Sequence, residues 1–283
     1  MAVSNELYEL IQSLSKEEKH HFKLQASKFG RKDSVYIKIF DLMSRQRKYD
    51  EEKIKKKLQE HKSIKQFHVL KNYLYQQVLE SLESYHEDEF ILHQAIKQLH
   101  QSTLLFDRGL YEQAKELLEQ AKTKALNYEK YELLPSILIA EHKLYTKELA
   151  KEKVALIPKK GHQSIKELRL FIDLNDLNKR MVYAARALYN EGEKDLSIIQ
   201  TLIQEDCLKL DIAMQTTRNQ MLYYSIYGSY YEAVGEYQLS LEYKNKLLDA
   251  IFSNEYILAE YPQNYLISIN NLATTAKHDL DME

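Results

Sequence analysis

The chain has 283 residues, a formal net charge of −2, one cysteine, six glycines and three prolines. So few glycines and prolines exclude a β-sandwich, a β-barrel or a doubly wound α/β fold, because those folds need these residues at their many turns. The length exceeds that of most single hydrophobic cores, so we expect two domains or one elongated array of helical repeats. The composition therefore predicts an all-α protein.

Charge and residue pattern both divide the chain near residue 87. Residues 1–87 carry 17 Lys and Arg against 13 Asp and Glu, a net charge of +4, whereas residues 88–283 carry 23 against 29, a net charge of −6. Neither part is charged strongly enough to require nucleic acid as a partner. We expect an N-terminal helical bundle or cap at 1–87 and an array of helix pairs at 88–283.

Five helices are predicted in residues 1–87. The first carries apolar residues from Leu7 to Leu14 at the i, i+3, i+4, i+7 spacing of one helix face. The other four helices are expected to begin at residues that cap helix N-termini, namely Ser15, Asp33, Asp50 and Ser63. Glu18 and Gln66 complete capping boxes with the two serines. Gly30 is expected to end the second helix.

From residue 88 onward, the pattern is one of helix pairs with a glycine between their members. Around two glycines, a small residue lies seven positions before, a large one four before, tyrosine two after, and Ala or Ser five after. The first set is Ser102, Leu105, Gly109, Tyr111 and Ala114, and the second is Gly228, Tyr231, Gly235, Tyr237 and Ser240. Small residues let paired helices approach closely, and glycine permits the tight turn.

This pattern resembles the tetratricopeptide repeat, a helix-turn-helix unit, over roughly residues 93–278. A weaker match surrounds Gly192, with Lys194 where tyrosine is expected, and a unit without glycine lies around residues 149–153. The first helix of a further unit is predicted to begin near Pro262. The period of about 42 residues is longer than the roughly 34 of the standard repeat. The resemblance implies a right-handed α-solenoid.

The segment VALIPKKGHQS, residues 154–164, is predicted to be a surface loop that interrupts the array. Pro158 and Gly161 both disfavour a helix. Ser164 and Glu167 have the spacing of a capping box, so the next helix is expected to begin there.

No motif of a catalytic, cofactor or metal site occurs in the sequence. It contains no glycine-rich phosphate loop, no His-Glu-x-x-His helix and no Gly-x-Ser-x-Gly turn. His86, His93 and His100 recur every seven residues, roughly 10.5 Å along a helix, whereas chelation by one helix uses positions i and i+4. We therefore expect a protein that is not an enzyme and holds no cofactor or metal.

The most basic segment is residues 45–65, which carry nine Lys or Arg against four acidic residues. The short helices predicted here could imitate a helix-turn-helix. However, acidic residues are interleaved with the basic ones, and no compact turn with glycine sets a recognition helix. These features favour a solvated surface over a nucleic-acid site.

Tyrosines are concentrated between residues 223 and 243. Tyr231 and Tyr237 occupy positions between paired helices, which favours packing. Tyr223, Tyr227 and Tyr230 lie on other faces and could also contribute to a binding surface, because tyrosine has an apolar body and a polar tip.

The resemblance implies that first helices of the repeats line a concave groove. Its predicted lining residues are Lys179, Val182, Arg186 and Tyr189 in one unit, Leu222, Ser225, Ser229 and Glu232 in the next, and Asn270, Thr274 and Lys277 in the last. The Lys, Arg and Asn residues are similar to the set with which some family members hold a peptide carboxylate. The middle unit lacks the asparagine, so the full set is absent, and an ordinary solvated groove is the alternative.

The expected function is that of a bacterial scaffold or adaptor that binds a protein or peptide in this groove. An alternative is a peptide-sensing regulator that sequesters a transcription factor or response regulator, because a helical N-terminal domain before a repeat array resembles that class. Nucleic-acid binding through residues 45–65 is a lower alternative. Cys207 is the lone cysteine, and no signal peptide or apolar membrane segment is present, so we expect a cytoplasmic protein. Homo-oligomerisation stays open.

Overall fold

The structure, a computed structural model, describes residues 5–28, 35–86, 90–190, 195–260 and 262–282. These residues form fourteen α-helices and three short 3₁₀ helices, and they contain no strand. The prediction of an all-α fold is therefore confirmed. The chain divides into two compact units, Met1–Phe90 and Ile91–Glu283, hereafter the N-terminal unit and the C-terminal unit.

The N-terminal unit is built around one apolar core. Its helices are α1 (Glu6–Ser13), α2 (Lys16–Lys28), α3 (Val35–Ser44), α4 (Glu51–Lys57) and α5 (Phe67–Tyr85). All five contribute to a single cluster of buried apolar side chains, in which the rings of Phe22 and Phe40 lie 4.4 Å apart. Burial of such a cluster is the main source of stability for a small helical unit.

Two predicted helix starts in this unit are confirmed by their hydrogen bonds. The Ser15 amide donates to a Glu18 carboxylate oxygen at 2.6 Å, and the Glu18 amide donates to the Ser15 hydroxyl at 3.1 Å. Asp50 accepts from the Lys53 amide at 2.9 Å. Gly30 and Asp33 lie outside the described residues.

The capping box predicted at Ser63 is wrong. The segment Lys62–Gln66 forms a 3₁₀ helix, and α5 begins only at Phe67. Neither of these two helices has a side-chain hydrogen bond at its N-cap. Phe67 is buried in the core, so tertiary packing sets the start of α5 in place of a local cap.

The C-terminal unit contains nine α-helices within its described residues. They are α6 (Ile91–Asp107), α7 (Tyr111–Asn127), α8 (Leu134–Lys147), α9 (Lys151–Asn190), α10 (Ser197–Leu202), α11 (Thr217–Ala233), α12 (Tyr237–Phe252), α13 (Glu255–Glu260) and α14 (Pro262–Met282). Two 3₁₀ helices, Asp206–Leu208 and Ile212–Met214, precede α11.

Four helix–helix turns in the C-terminal unit share one backbone geometry. The second residue after the helix has a positive φ, at Gly109, Glu129, Leu149 and Gly235. In each turn the next amide donates to the carbonyl five residues earlier, as Leu110 does to Leu105 and Ala150 to Tyr145. This is the Schellman ending of a helix. The two predicted glycine turns are confirmed, and the turn expected around residue 149 uses leucine.

The predicted close approach of small residues is also confirmed. The Ser102 hydroxyl donates to the Ala114 carbonyl at 2.6 Å, and the Ser240 hydroxyl donates to the Gly228 carbonyl at 2.8 Å. Both bonds are buried and join paired helices, α6 with α7 and α11 with α12. Side chain to backbone bonds of this kind require helices in direct contact.

The surface loop predicted at residues 154–164 is wrong, because the whole segment lies inside the 40-residue helix α9. Pro158 removes one amide donor, at a cost of about 3 kcal/mol in a helix interior. Ile157, buried, and Val154, partly buried, pack against Tyr145 of α8, and this packing holds the segment helical. Ser164 is buried within the helix, where its hydroxyl donates to the Gly161 carbonyl at 2.9 Å.

Helix α9 connects the two halves of the C-terminal unit. Its N-terminal part packs on α8, whereas Leu174, Leu177 and Met181 in its C-terminal part pack with Ile226 of α11. A polar contact also joins the halves, because the Glu129 carboxylate accepts from the first amides of α11 at 2.7–2.8 Å. A carboxylate at a helix N-terminus is stabilised by the helix dipole.

Candidate functional site

A groove of about 580 Å³ lies among α9, α11, α12 and α14 in the C-terminal unit. Residues of these four helices and of the α11–α12 turn line it. The lining residues are Val182, Ala185, Arg186, Leu188, Leu196, Ser225, Ser229, Glu232, Ala233, Val234, Gly235, Tyr237, Lys244, Leu247, Ser268, Asn271, Thr274 and His278. The lining therefore mixes aliphatic side chains with hydroxyl, amide and charged groups.

A buried polar network holds the groove walls together. Lys244 of α12 donates to Glu232 of α11 at 2.8 Å and also to the hydroxyl of Thr275 on α14. Thr275 in turn donates to the other Glu232 carboxylate oxygen at 2.6 Å and is fully buried. Because each member bonds the other two, the network fixes the position of α14 against the helix pair α11–α12.

Gly228 has a specific role in this network. A Cβ added at Gly228 would lie 3.2 Å from the Lys244 Cγ, tighter than ordinary van der Waals contact. The bare backbone therefore leaves space for the Lys244 stem to cross α11 toward Glu232. Gly228 therefore has two roles: it leaves space for the buried Lys244 side chain, and it lets α11 and α12 approach closely.

The structure places several of the predicted groove residues in the lining. Four of the predicted site residues line the groove, namely Arg186, Ser225, Ser229 and Thr274, together with Val182 and Glu232. Leu222 instead packs against the apolar cluster between α9 and α11. The side chain of Tyr189 lies outside the described residues.

Lys179, Asn270 and Lys277 are exposed and do not line the groove. Lys179 lies two helical turns before Arg186, and the described part of α9 that borders the groove begins only at Val182. On α14 the neighbouring Asn271, about 100° further round the helix than Asn270, lies in the lining.

Four groups in and around the groove were not predicted: Lys244, Asn271, Thr275 and His278. Lys244 and Thr275 are buried polar residues, and a sequence pattern cannot distinguish them from solvated residues when their partners lie on other helices. The spacing of Gly228 and Lys244 was the available signal, since a small residue on one helix can accommodate a long side chain on its neighbour.

The tyrosines mainly pack. Tyr223, Tyr227 and Tyr230 lie against the apolar cluster of α9 and α11, as half-buried side chains. Tyr243 of α12 stacks on Tyr227 and Tyr231, with ring centroids 5.0 and 5.5 Å apart. Burial raises the pKa of Tyr227 and of Tyr243. Tyr237 also borders the groove, where its ring stacks near His278.

A second, more open depression of about 780 Å³ lies beside α9 and α10. Its acidic side chains are engaged in ion pairs, since Arg180 contacts Asp176 and Glu205 at 2.9 and 2.7 Å and Lys209 contacts Asp206 at 2.7 Å. Cys207 lines it, and burial raises the pKa of its thiol, which lowers the reactive thiolate fraction. This depression therefore offers fewer free recognition groups than the groove.

Among the described residues, no group of three or more His, Cys, Asp or Glu side chains is arranged to hold a metal ion. None of the described helices is both long enough and apolar enough to cross a membrane.

Comparisons with protein-family models, with curated proteins and with solved structures found no match to this chain. The resemblance to the tetratricopeptide repeat, and the solenoid that it implies, therefore stay predictions.

Proposed function

We propose that the protein is a non-enzymatic, cytoplasmic scaffold that binds an extended segment of a partner protein or peptide in the groove among α9, α11, α12 and α14. The observation that carries this proposal is the lining itself. Ser225, Ser229 and Asn271 offer hydrogen-bond donors and acceptors beside aliphatic side chains such as Val182 and Leu247. A concavity that combines apolar surface with polar groups of fixed position is a general form of ligand site.

The charge of the groove lining favours a ligand with an acidic segment or a chain-terminal carboxylate. The Lys244 ammonium is neutralised by Glu232, so Arg186 is the full positive charge left on the groove lining, and no ion pair of its guanidinium occurs within the described residues. A guanidinium at a groove rim can hold a carboxylate through two parallel hydrogen bonds. The expected ligand therefore places a carboxylate at Arg186 and apolar groups along the α11–α12 turn.

The test begins with peptides selected by display against the immobilised full chain. Binding of a selected, fluorescently labelled peptide is then measured by anisotropy with two groove variants, Arg186→Glu and Thr274→Arg. The first reverses the rim charge and the second fills the groove from α14. Each is expected to weaken binding about tenfold or more, equivalent to about 1.4 kcal/mol.

Matched controls lie on the same two helices. Lys179→Glu makes the same charge change two turns from Arg186, and Ala273→Arg adds the same side chain one residue from Thr274, both outside the lining. These variants are expected to change affinity less than twofold, since exposed substitutions away from a contact have small effects. Equal losses in all four variants, or a selection that yields no binding peptide, would contradict the proposal.

A further inference from the structure

The acidic side chains of residues 45–65 are largely engaged by local contacts in the N-terminal unit. Glu51 accepts from Lys71 and Lys55 at 2.7 and 2.8 Å, and it also accepts from the Tyr49 hydroxyl at 2.8 Å. Burial raises the pKa of Glu51, but these hydrogen bonds outweigh that effect and lower its pKa to about 2. Asp50 caps α4, and Glu52 lies 3.1 Å from Lys55.

The basic side chains of the same segment are left exposed. We define the basic surface as Arg45, Arg47, Lys48, Lys53, Lys56 and Lys57. All six are exposed, and within the described part of the chain none of them forms an ion pair. Of the four acids in this segment, Glu51 is drawn into local contacts, whereas Asp50, Glu52 and Glu60 stay exposed. The six exposed cations outnumber them, so this face keeps an excess of positive charge.

The backbone that carries the basic surface is held in place. The Tyr8 hydroxyl donates to the Gln46 carbonyl at 3.0 Å, and the Gln12 amide donates to the Met43 carbonyl at 2.8 Å. The Gln46 side chain bridges to the backbone of Asp50 through two hydrogen bonds. An ordered loop that presents cations loses less conformational entropy when it binds than a mobile tail does.

The start of α5 extends this surface without adding negative charge. After Glu60, the next acidic residue in the sequence is Glu80. Lys65, His68, Asn72 and Gln76 are exposed along this acid-free stretch. Amide side chains one helical turn apart, such as Asn72 and Gln76, can hydrogen-bond to base edges or to phosphates.

The residues around the basic surface favour one kind of partner over a membrane, a single-stranded nucleic acid or a protein. A membrane-surface helix needs an exposed apolar face, but Ile54 and Leu58 of the α4 segment are buried in the core. Single-stranded nucleic acid is held by exposed aromatic rings, and residues 45–65 expose none. Protein interfaces usually centre on aromatic anchors as well. On the start of α5 the ring of Tyr73 is exposed, but it packs on the ring of Tyr36 with centroids 4.7 Å apart. Positive charge beside exposed amides, without a series of free rings, fits a duplex.

We propose that the basic surface and the start of α5 bind the phosphate backbone of double-stranded nucleic acid. This site is independent of the groove proposed above. Binding would come mainly from release of counterions by the cations, with little sequence preference. Four to six phosphate contacts then predict that raising the salt from 50 to 200 mM weakens binding about 150- to 1,800-fold.

The experiment measures anisotropy of a labelled 20-base-pair DNA duplex titrated with the full chain at 50 and 200 mM salt. Lys53→Glu with Lys56→Glu is expected to weaken binding at least tenfold and to flatten the salt dependence, since removing one phosphate-binding cation lowers the salt slope by about one unit. The control is Lys159→Glu with Lys160→Glu, which makes the same change in net charge at exposed positions of α9 and is expected to leave both the affinity and the salt slope unchanged.

Two further arms complete the test. Arg45→Ala with Arg47→Ala alters only exposed loop side chains, so it gives an answer even if the α4 variant fails to fold, and it is expected to weaken duplex binding. The unmodified chain is also titrated with anionic phospholipid vesicles and with polyglutamate. Tighter binding of either than of the duplex, no duplex binding at 50 mM salt, or equal losses in the variants and the control would overturn the proposal.

Discussion

The two units are held together by different kinds of contact. The N-terminal unit has one continuous apolar cluster to which all five helices contribute, whereas the buried apolar residues of the C-terminal unit fall into three separate clusters. Of the eleven buried polar or charged residues in the described chain, nine lie in the C-terminal unit. Buried polar bonds therefore contribute more to holding the helices of the C-terminal unit together than they do in the N-terminal unit.

This difference has a consequence for specificity. Apolar contact is roughly proportional to buried area and tolerates small shifts of one helix over another. A buried ion pair such as Lys130 with Glu260, 2.5 Å apart, requires one register, because a misplaced partner leaves an uncompensated charge. We infer that buried polar bonds fix the positions of the helices around the groove in the C-terminal unit. The N-terminal unit is held together mainly by burial of apolar side chains.

The largest effect is expected from a cavity in the N-terminal core. Phe40 is fully buried against Phe22, so Phe40→Ala should destabilise the N-terminal unit by about 3–5 kcal/mol. Urea denaturation followed by circular dichroism, with hydrogen exchange to assign the loss to residues 5–86, measures it. Leu24→Ala, at an exposed position of α2, is the control and should change stability by less than about 0.5 kcal/mol.

The second prediction breaks one polar link of the C-terminal unit. Glu141 of α8 is 1 % exposed and pairs with Lys122 of α7 at 2.5 Å. Lys122→Met would leave a buried carboxylate without its cation and should cost about 3 kcal/mol in urea denaturation.

A double variant separates loss of the pair from loss of its charge balance. Lys122→Met combined with Glu141→Leu removes both charges, and an apolar replacement of a buried ion pair is often neutral for stability. We expect it to recover most of the lost stability. If the double variant is less stable than Lys122→Met alone, the unpaired Glu141 carboxylate is not the cause of the lost stability. The inferred difference between the two units would then be wrong.

The third prediction concerns the close approach of α6 and α7. Ala114 is fully buried beside Ser102, so Ala114→Leu should overpack the contact and cost about 1–3 kcal/mol. Gln113→Leu adds leucine at the neighbouring exposed position and should be nearly neutral. Thermal and urea denaturation of the two variants provide the measurement, and equal stability of both would place the contact elsewhere on α7.

The smallest effect is a gain at a helix–helix turn. Leu149 has φ of 56° and is 81 % exposed, so its side chain adds backbone strain and little packing. Leu149→Gly should relieve about 1–2 kcal/mol of backbone strain, but glycine also costs conformational entropy on folding. The net effect should be a gain of about 0.5–1 kcal/mol in the stability of the C-terminal unit.

Glu129 is the matched contrast to Leu149, because it has φ of 52° in the same kind of turn. Its carboxylate caps α11, so Glu129→Gly should destabilise the unit despite the same relief of strain. A stabilising Glu129→Gly, measured by thermal unfolding, would show that this long-range cap contributes nothing.

The features that the sequence predicts correctly depend on residues close together in the chain. The Ser15–Glu18 box, the Asp50 cap and the turns at Gly109 and Gly235 each act within about five residues. The close approach of Ser102 and Ala114 was also accessible, because a short turn brings the two positions together at a fixed offset.

The features that the sequence misses depend on contacts between distant segments. Pro158 and Gly161 locally disfavour the helix that α8 packing maintains. The cap that Glu129 provides for α11 spans 88 residues, and no pattern around Glu129 indicates it. In the groove, the resemblance to the tetratricopeptide repeat led to Arg186 and Ser229, and both lie in the lining. It did not lead to Asn271, because the buried Thr275 fixes the rotation of α14 and has no sequence pattern of its own.

Hydrogen–deuterium exchange of the full chain, with and without a display-selected peptide, tests the central claim most directly. If the groove binds the peptide, amide exchange should slow in residues 225–235 and 268–278, which contain lining residues from α11, the α11–α12 turn and α14. The same experiment with Arg186→Glu should show no slowing at equal peptide concentration. Slowing confined to residues 5–86, or to α6 and α7, would contradict the account, because the peptide would then bind away from the groove.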